Sequence, residues 1–196
     1  MPATVSERMR DPALDGRLLE ACQQGDREAL RALFEAYKDR VFSLALRFTG
    51  EEAAAKDVVQ EVFLKLFSRI GQFRREAHFG TWLFRLVANA CIDERRRRRR
   101  FLPLTAASVA QPVAALGPQE RGLERQQERA AVHRAVSQLS PKLRLPILLR
   151  YLEDLSYEEI AAVLGCTKGT VASRLNRGHR ELARRLRSPR GPGEPR

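Results

Sequence analysis

Apolar residues recur at steps of three and four along most of the 196-residue chain, and the strict alternation of half-buried strands is missing. The pattern predicts an all-α protein. A short helix is expected over 14–24, with Leu14, Leu18, Leu19 and Cys22 on one side. Gly25 and Asp26 interrupt the chain and cap a longer helix reaching about Thr49. Its inward series is Leu30, Leu33, Phe34, Tyr37, Val41, Leu44, Ala45 and Phe48. Gly50 ends that helix, and a third spans 52–70, turning Val58, Val59, Val62, Phe63, Leu66 and Ile70 inward while Asp57, Gln60, Glu61 and Lys65 stay polar. A loop at 71–80 precedes a fourth helix, capped by Thr81 and buried through Leu83, Leu86, Val87 and Ala90. Helices of this number and size can close one small core.

Residues 101–118 hold three prolines and many alanines with little amphipathic pattern, which reads as a flexible linker between two small helical domains. Helical pattern returns over 119–138, with Leu123, Ala131, Ala135 and Leu139 facing inward. Ser140 and Pro141 start another helix over 142–152, in which Pro146 predicts a kink. Ser156 and Glu159 form a capping box, Gly165 supplies a left-handed stop, and Thr167 caps a last helix that buries Val171, Leu175 and Leu182. With Ala161 at the crossing, 156–187 reads as a helix-turn-helix whose second helix would lie in a major groove. The domains are thus expected at 14–100 and 119–187, with unstructured tails at 1–13 and 188–196.

A formal net charge of +12 and a pI near 10.7 call for a polyanionic partner, by default nucleic acid. No apolar run approaches the ~18 residues of a membrane span, no membrane insertion is expected, and the N-terminus lacks a signal-peptide core; the chain reads as cytoplasmic. Three cysteines, Cys22, Cys91 and Cys166, lack the spacing of a metal site or a disulfide framework. His78, His133 and His179 stand apart, and neither a glycine-rich phosphate loop nor a nucleophile–base pair occurs. No enzyme activity, cofactor, metal or small-molecule substrate is expected.

Four stretches carry candidate chemistry. Lys168, Ser173, Arg174, Arg177 and Arg180 line the outer side of the last helix and suit duplex DNA. Six consecutive arginines at 95–100 exceed what a helix end requires and suit phosphates; five contacts would give a slope of roughly −4 to −5 against log salt. Aromatics interleaved with cations over 73–89 are Phe73, Arg74, Arg75, Phe79, Trp82, Arg85 and Asn89. As an exposed set they suit single-stranded nucleic acid, with bases stacked on rings; as a buried set Phe79 and Trp82 are simply core. Asp57, Gln60 and Glu61 beside an exposed Phe63 or Leu64 make either a protein-docking patch or an ordinary solvated face.

The segments DVVQEVFLKLF (57–67), FRREAHFGTWLFRLVANACIDERRRR (73–98) and QLSPKLRLPILLRYLEDLSYEEIAAVLGCTKGTVASRLNRGHREL (138–182) resemble the extracytoplasmic-function (ECF) group of bacterial RNA polymerase sigma factors. The resemblance spans residues 17–187. It implies a sigma region 2-like bundle and a region 4-like helix-turn-helix domain, with the linker threading toward the polymerase active-site channel. It places Asp57, Gln60, Glu61, Phe63 and Leu64 on the surface that docks on the β′ clamp of core RNA polymerase, the β subunit being a further partner. It places Phe73, Arg74, Arg75, Phe79, Trp82, Arg85, Asn89, Arg95 and Arg96 at the melted −10 promoter element, and Lys168, Thr170, Ser173, Arg174, Arg177 and Arg180 at the double-stranded −35 element. Ala172 and Asn176 depart from the larger or basic residues of relatives, so a different −35 sequence is expected.

The expected function is promoter-specific transcription initiation with core RNA polymerase in a stress or envelope-signal response. A cognate anti-sigma factor, able to hold the protein at the inner membrane, is a further expected partner. The competing reading is a stand-alone dimeric helix-turn-helix regulator on a palindromic duplex. A nucleic-acid-processing enzyme is disfavoured by the missing catalytic cluster.

Overall fold

Short-range chemistry sets the helix ends. The computed structural model describes residues 16–73, 78–101 and 123–187, so the expected tails, the linker at 102–118 and the helix start at 119 lie outside the described residues. Eight α-helices occur among them: α1 (Gly16–Gln23), α2 (Arg27–Thr49), α3 (Glu52–Arg69), α4 (Phe79–Phe101), α5 (Leu123–Ser137), α6 (Pro141–Tyr151), α7 (Tyr157–Leu164) and α8 (Lys168–Arg187). Asp26 Oδ1 accepts the amides of Glu28 (2.8 Å) and Ala29 (3.2 Å), starting α2. Gly50, at φ 81°, ends it with its amide on the Leu46 carbonyl. A 3-10 turn, Ile70–Gln72, follows α3. Gln23 Nε2 donates to the carbonyls of Ile70 (3.2 Å) and Phe73 (2.8 Å), tying α1 to that turn.

One expected local feature differs. The amide of Trp82 donates to the His78 carbonyl, so α4 begins at Phe79 and Thr81 lies inside the first turn, not at the cap. Helix α6 runs unbroken from Pro141 to Tyr151 through Pro146, whose ring is buried with Leu145, Ile147, Leu148 and Leu149. The ring stands at the sixth residue, past the first turn, and leaves the Lys142 carbonyl without the amide four residues on; the helix continues through it, as expected of a proline that does not break it.

The two halves share one continuous apolar core. Helix α4 packs on α2 and α3 on one side and on α7 on the other, while α2 also meets α5 and α6. This explains why α4 is buried well beyond the four expected positions, with Phe84, Ala88 and Cys91 also inside. Charged groups cross the same boundary. Arg40 on α2 donates through Nε (3.1 Å) and Nη2 (2.7 Å) to Glu153 Oε2, and its guanidinium lies over the rings of Tyr37 and Phe84. The Glu153 side chain is 3% exposed. Arg144, buried on α6, donates to the carbonyls of Phe48 (2.6 Å) and Leu139 (3.0 Å), groups that helix ends leave without partners. Arg47 Nη1 lies 3.3 Å from His133 Nε2, joining α2 to α5. Among the described residues no helix is long and apolar enough to cross a membrane.

Breaking a buried ion pair strands its partner. Arg40→Ala is expected to lower the unfolding free energy by about 3 kcal/mol in urea titrations. Lys56→Ala, which removes a solvent-exposed pair with Glu52, should leave the midpoint unchanged.

Candidate functional site

The hairpin α7–α8 is assembled by its own sequence. Ser156 Oγ accepts the Glu159 amide (3.2 Å), and Glu159 Oε2 accepts the Ser156 amide (2.7 Å), closing the capping box. Gly165, at φ 60°, reverses the chain, and the Cys166 amide reaches the Ala161 carbonyl at 3.0 Å. Thr167 Oγ1 accepts the Thr170 amide at 3.2 Å and starts α8. Ile160, Val163, Val171 and Leu175 close the angle between the helices, while Leu182, expected inside, is half-buried.

Lys168, Ser173, Arg177 and Arg180 on α8 are exposed, and Thr170 and Arg174 are half-buried. Lys168 pairs with Glu158 across the turn between α7 and α8. The Thr170 hydroxyl meets that of Thr167 at 3.0 Å, and Arg174 Nη1 lies 3.9 Å from Cys166 Sγ. Arg180 Nε donates to Asn176 Oδ1 at 3.2 Å, so Asn176 orients a neighbouring cation. Gly178 explains how α8 sits on α6, a role the sequence pattern does not reveal. A Cβ there would stand 3.1 Å from Ile147 Cγ1, and Ile147 is buried.

The second face lies along α4. Phe73 and Phe79 are buried, which corrects their placement among exposed stacking rings and, for Phe79, agrees with the core reading. They meet edge-to-face at 5.6 Å, and Tyr37 closes on Phe79 at 5.5 Å. Trp82, half-buried, packs on both at 5.2 and 5.8 Å and forms the rim of this cluster. The buried rings therefore act as a seat for Trp82. Arg85, Asn89 and Arg96 are exposed, and Arg95 is half-buried. At about 100° per residue these exposed positions and Trp82 fall on one stripe. Arg74 and Arg75 lie outside the described residues.

The arginine run is not uniformly free. Arg97 pairs with Glu94, Arg98 with both Glu94 (2.8 Å) and Glu51, and Arg96 lies 3.7 Å from Asp93. Hydrogen bonding to Glu51, with Glu94 adding to it, raises the pKa of Arg98 further.

The third face is on α3. Asp57 and Gln60 are exposed, and half-buried Glu61 is paired with Lys65. Phe63 is 4% exposed, so only Leu64, at 63%, is the exposed apolar residue expected there. Phe63 meets Phe34 edge-to-face at 4.7 Å and Phe67, tilted, at 5.9 Å. With Phe42, Lys56, Val59, Gln60 and Leu64 these rings line an open, almost wholly apolar groove of about 370 Å³. Phe34 and Phe42 come from α2, and a pattern reading of α3 alone misses them.

Residues 33–101 match the family Sigma-70 region 2, and residues 129–182 match Sigma-70, region 4. The RNA polymerase sigma-H factor of Pseudomonas aeruginosa is 34% identical over 180 residues, 88% of this chain and 93% of that protein. The ECF RNA polymerase sigma-E factor of Escherichia coli is 31% identical over 182 residues, covering 89% of this chain and 95% of the relative. The chain belongs to the ECF sigma factor family. A solved sigma factor RpoE, in complex with the anti-sigma factor NepR from Bartonella quintana, is similar in fold (TM-score 0.65, 25% identity, 82% of this chain and 98% of that one). CnrH, solved with the cytosolic domain of CnrY, shares the fold at the same TM-score with 23% identity, over 88% and 97% of the two chains. Sigma factors are transcription initiation factors and not enzymes, so the work of this one is binding, and its three faces are the places to look for it.

Gly178→Val should destabilise the sigma factor by about 2 kcal/mol through overpacking against Ile147. Gly169→Ala, in the first turn of α8 where nothing lies closer than Thr167 Oγ1 at 3.9 Å, should stabilise it by no more than about 0.5 kcal/mol. Urea denaturation of both variants checks the contrast.

Proposed function

We propose that this sigma factor binds core RNA polymerase through the α3 groove and reads two promoter elements through its two basic faces. The observation that carries the reading is the coexistence, on one chain, of an apolar groove rimmed by Leu64 and Gln60 with two separate cationic helix stripes. A stand-alone dimeric regulator could bury the groove against a second copy but has use for only one such stripe.

On the α3 face, Leu64 and the phenyl-lined groove accept an apolar side chain of the β′ clamp, with Asp57, Gln60 and Glu61 supplying the polar rim. Burying Leu64 is worth about 1.5–3 kcal/mol. On the α4 face, Trp82 offers a stacking surface for an unstacked base of the −10 element; Arg85, Asn89, Arg95 and Arg96 hold the strand, and Phe73 and Phe79 back the tryptophan. Unstacking a base costs a few kcal/mol, offset by stacking and phosphate contacts. On the α8 face, Lys168, Thr170, Ser173, Arg174, Arg177 and Arg180 enter the major groove of the −35 element. Ser173 and Arg177 are the exposed base readers on this assignment, with Lys168 and Arg180 on phosphates.

An anti-sigma factor is the proposed regulator, as for the RpoE whose complex with NepR shares the fold. Such a partner would couple the protein to a stress or envelope signal and hold it at the inner membrane until release.

Run-off transcription with purified core polymerase on the DNA upstream of the protein's own gene tests the reading. A defined transcript that requires both proteins is expected. Its absence, with tight duplex binding retained and no binding to core polymerase, would favour a stand-alone regulator. Leu64→Asp should weaken binding to core polymerase at least about tenfold in a pull-down titration, while leaving binding to duplex DNA unchanged. Arg177→Ala should relax −35 preference, at a cost of about 1–3 kcal/mol in anisotropy titrations against matched and mismatched duplexes.

A further inference from the structure

Six arginines occupy 95–100, yet the helix does not offer them to DNA alike. At about 100° per residue, Arg96 and Arg100 continue the stripe of Trp82, Arg85 and Asn89, whereas Arg98 points to the opposite side, toward the start of α3. Its partners agree: Arg98 Nε donates to Glu94 Oε1 at 2.8 Å, and its Nη1 meets Glu51 Oε2. Arg97 Nη2 meets the other oxygen of Glu94. One carboxylate thus serves two guanidiniums, and the Glu94 side chain is only 3% exposed.

Burial decides which of these pairs DNA can break. Asp93 and Arg96 are exposed and 3.7 Å apart, so a phosphate can displace Asp93 at little cost. Glu94 cannot be stripped of its partners in the same way, because a carboxylate left buried without them is strongly unfavourable. Arg97 and Arg98 are therefore held by the protein while Arg96 and Arg100 remain available.

We propose that Glu94, assisted by Glu51, is an internal substitute for DNA phosphate and thereby a specificity-determining residue. By occupying Arg97 and Arg98 it confines phosphate contact to arginines in line with Trp82, Arg85 and Asn89. Every guanidinium that meets a phosphate adds affinity for any sequence, through counterion release. Withdrawing two of them lowers binding to arbitrary DNA and leaves the stripe as the larger share of recognition. The inference rests on the assignment of the α4 stripe to DNA.

The test is fluorescence anisotropy of the full-length protein on a random-sequence single strand across a salt series. Glu94→Gln is expected to steepen the slope of log affinity against log salt by about 1–2 and to tighten binding at low salt. Adding Arg97→Ala and Arg98→Ala to that variant should return the slope to the wild-type value. Asp93→Asn should leave it unchanged. If Glu94→Gln loses helix content by circular dichroism, Glu51→Gln, at a half-exposed site, frees Arg98 alone and should steepen the slope by about 1. A wild-type slope in a folded Glu94→Gln or Glu51→Gln protein overturns the inference alone. A wild-type protein without salt-dependent DNA binding overturns the α4 assignment and the inference with it.

Discussion

A charged side chain placed in an apolar interior has to be met by directional partners, and the meeting of the two halves is governed by that requirement. Arg144 is buried with its guanidinium on the carbonyls of Phe48 and Leu139, the first at the C-terminal end of α2 and the second just beyond α5. Burial, with the charge of Arg95 nearby, lowers its pKa to about 10, so it is still a cation at neutral pH. Arg40 reaches Glu153 from the other half. Burial raises the Glu153 carboxyl above its ordinary range, and the charge and hydrogen bonds of Arg40 oppose that shift. Apolar packing alone is non-directional. Two guanidiniums with fixed donor geometry give the contact of α2 with α6 a register that leucines and isoleucines could not.

The same packing determines which surfaces are left for partners. Because α4 is enclosed by α2, α3 and α7, only a narrow stripe reaches solvent, and that stripe holds Trp82, Arg85, Asn89 and Arg96. On α8 the buried series Val171, Leu175 and Gly178 leaves Lys168, Ser173, Arg177 and Arg180 outside. On α3 the outward Leu64 stands beside a groove whose far wall belongs to α2. Rings that the composition of 73–89 offers for stacking on bases are mostly used to hold one tryptophan in place. The carboxylates Glu94 and Glu51 act alike on charge, turning part of a dense arginine run into structure.

Helix ends were legible in the chain because their chemistry is local. Asp26, Gly50, Ser156 with Glu159, Gly165 and Thr167 each act on backbone groups within a few residues, and each occupies its expected role. Thr81 failed as a cap because Phe79 is drawn into the aromatic cluster with Tyr37 and Phe73, which starts α4 one turn earlier. The all-α class and the helix-turn-helix followed from periodicity and spacing, and the family from the resemblance of segments 57–67, 73–98 and 138–182. The burial of Phe73, the close approach at Gly178, the two-walled groove and the pairing of Arg40 with Glu153 did not. Each depends on a residue from another helix, distant in sequence and brought near only when the core closes. A hydrophobic stripe says that a helix face must be covered; only tertiary packing decides by what, and which side chains are left over to bind.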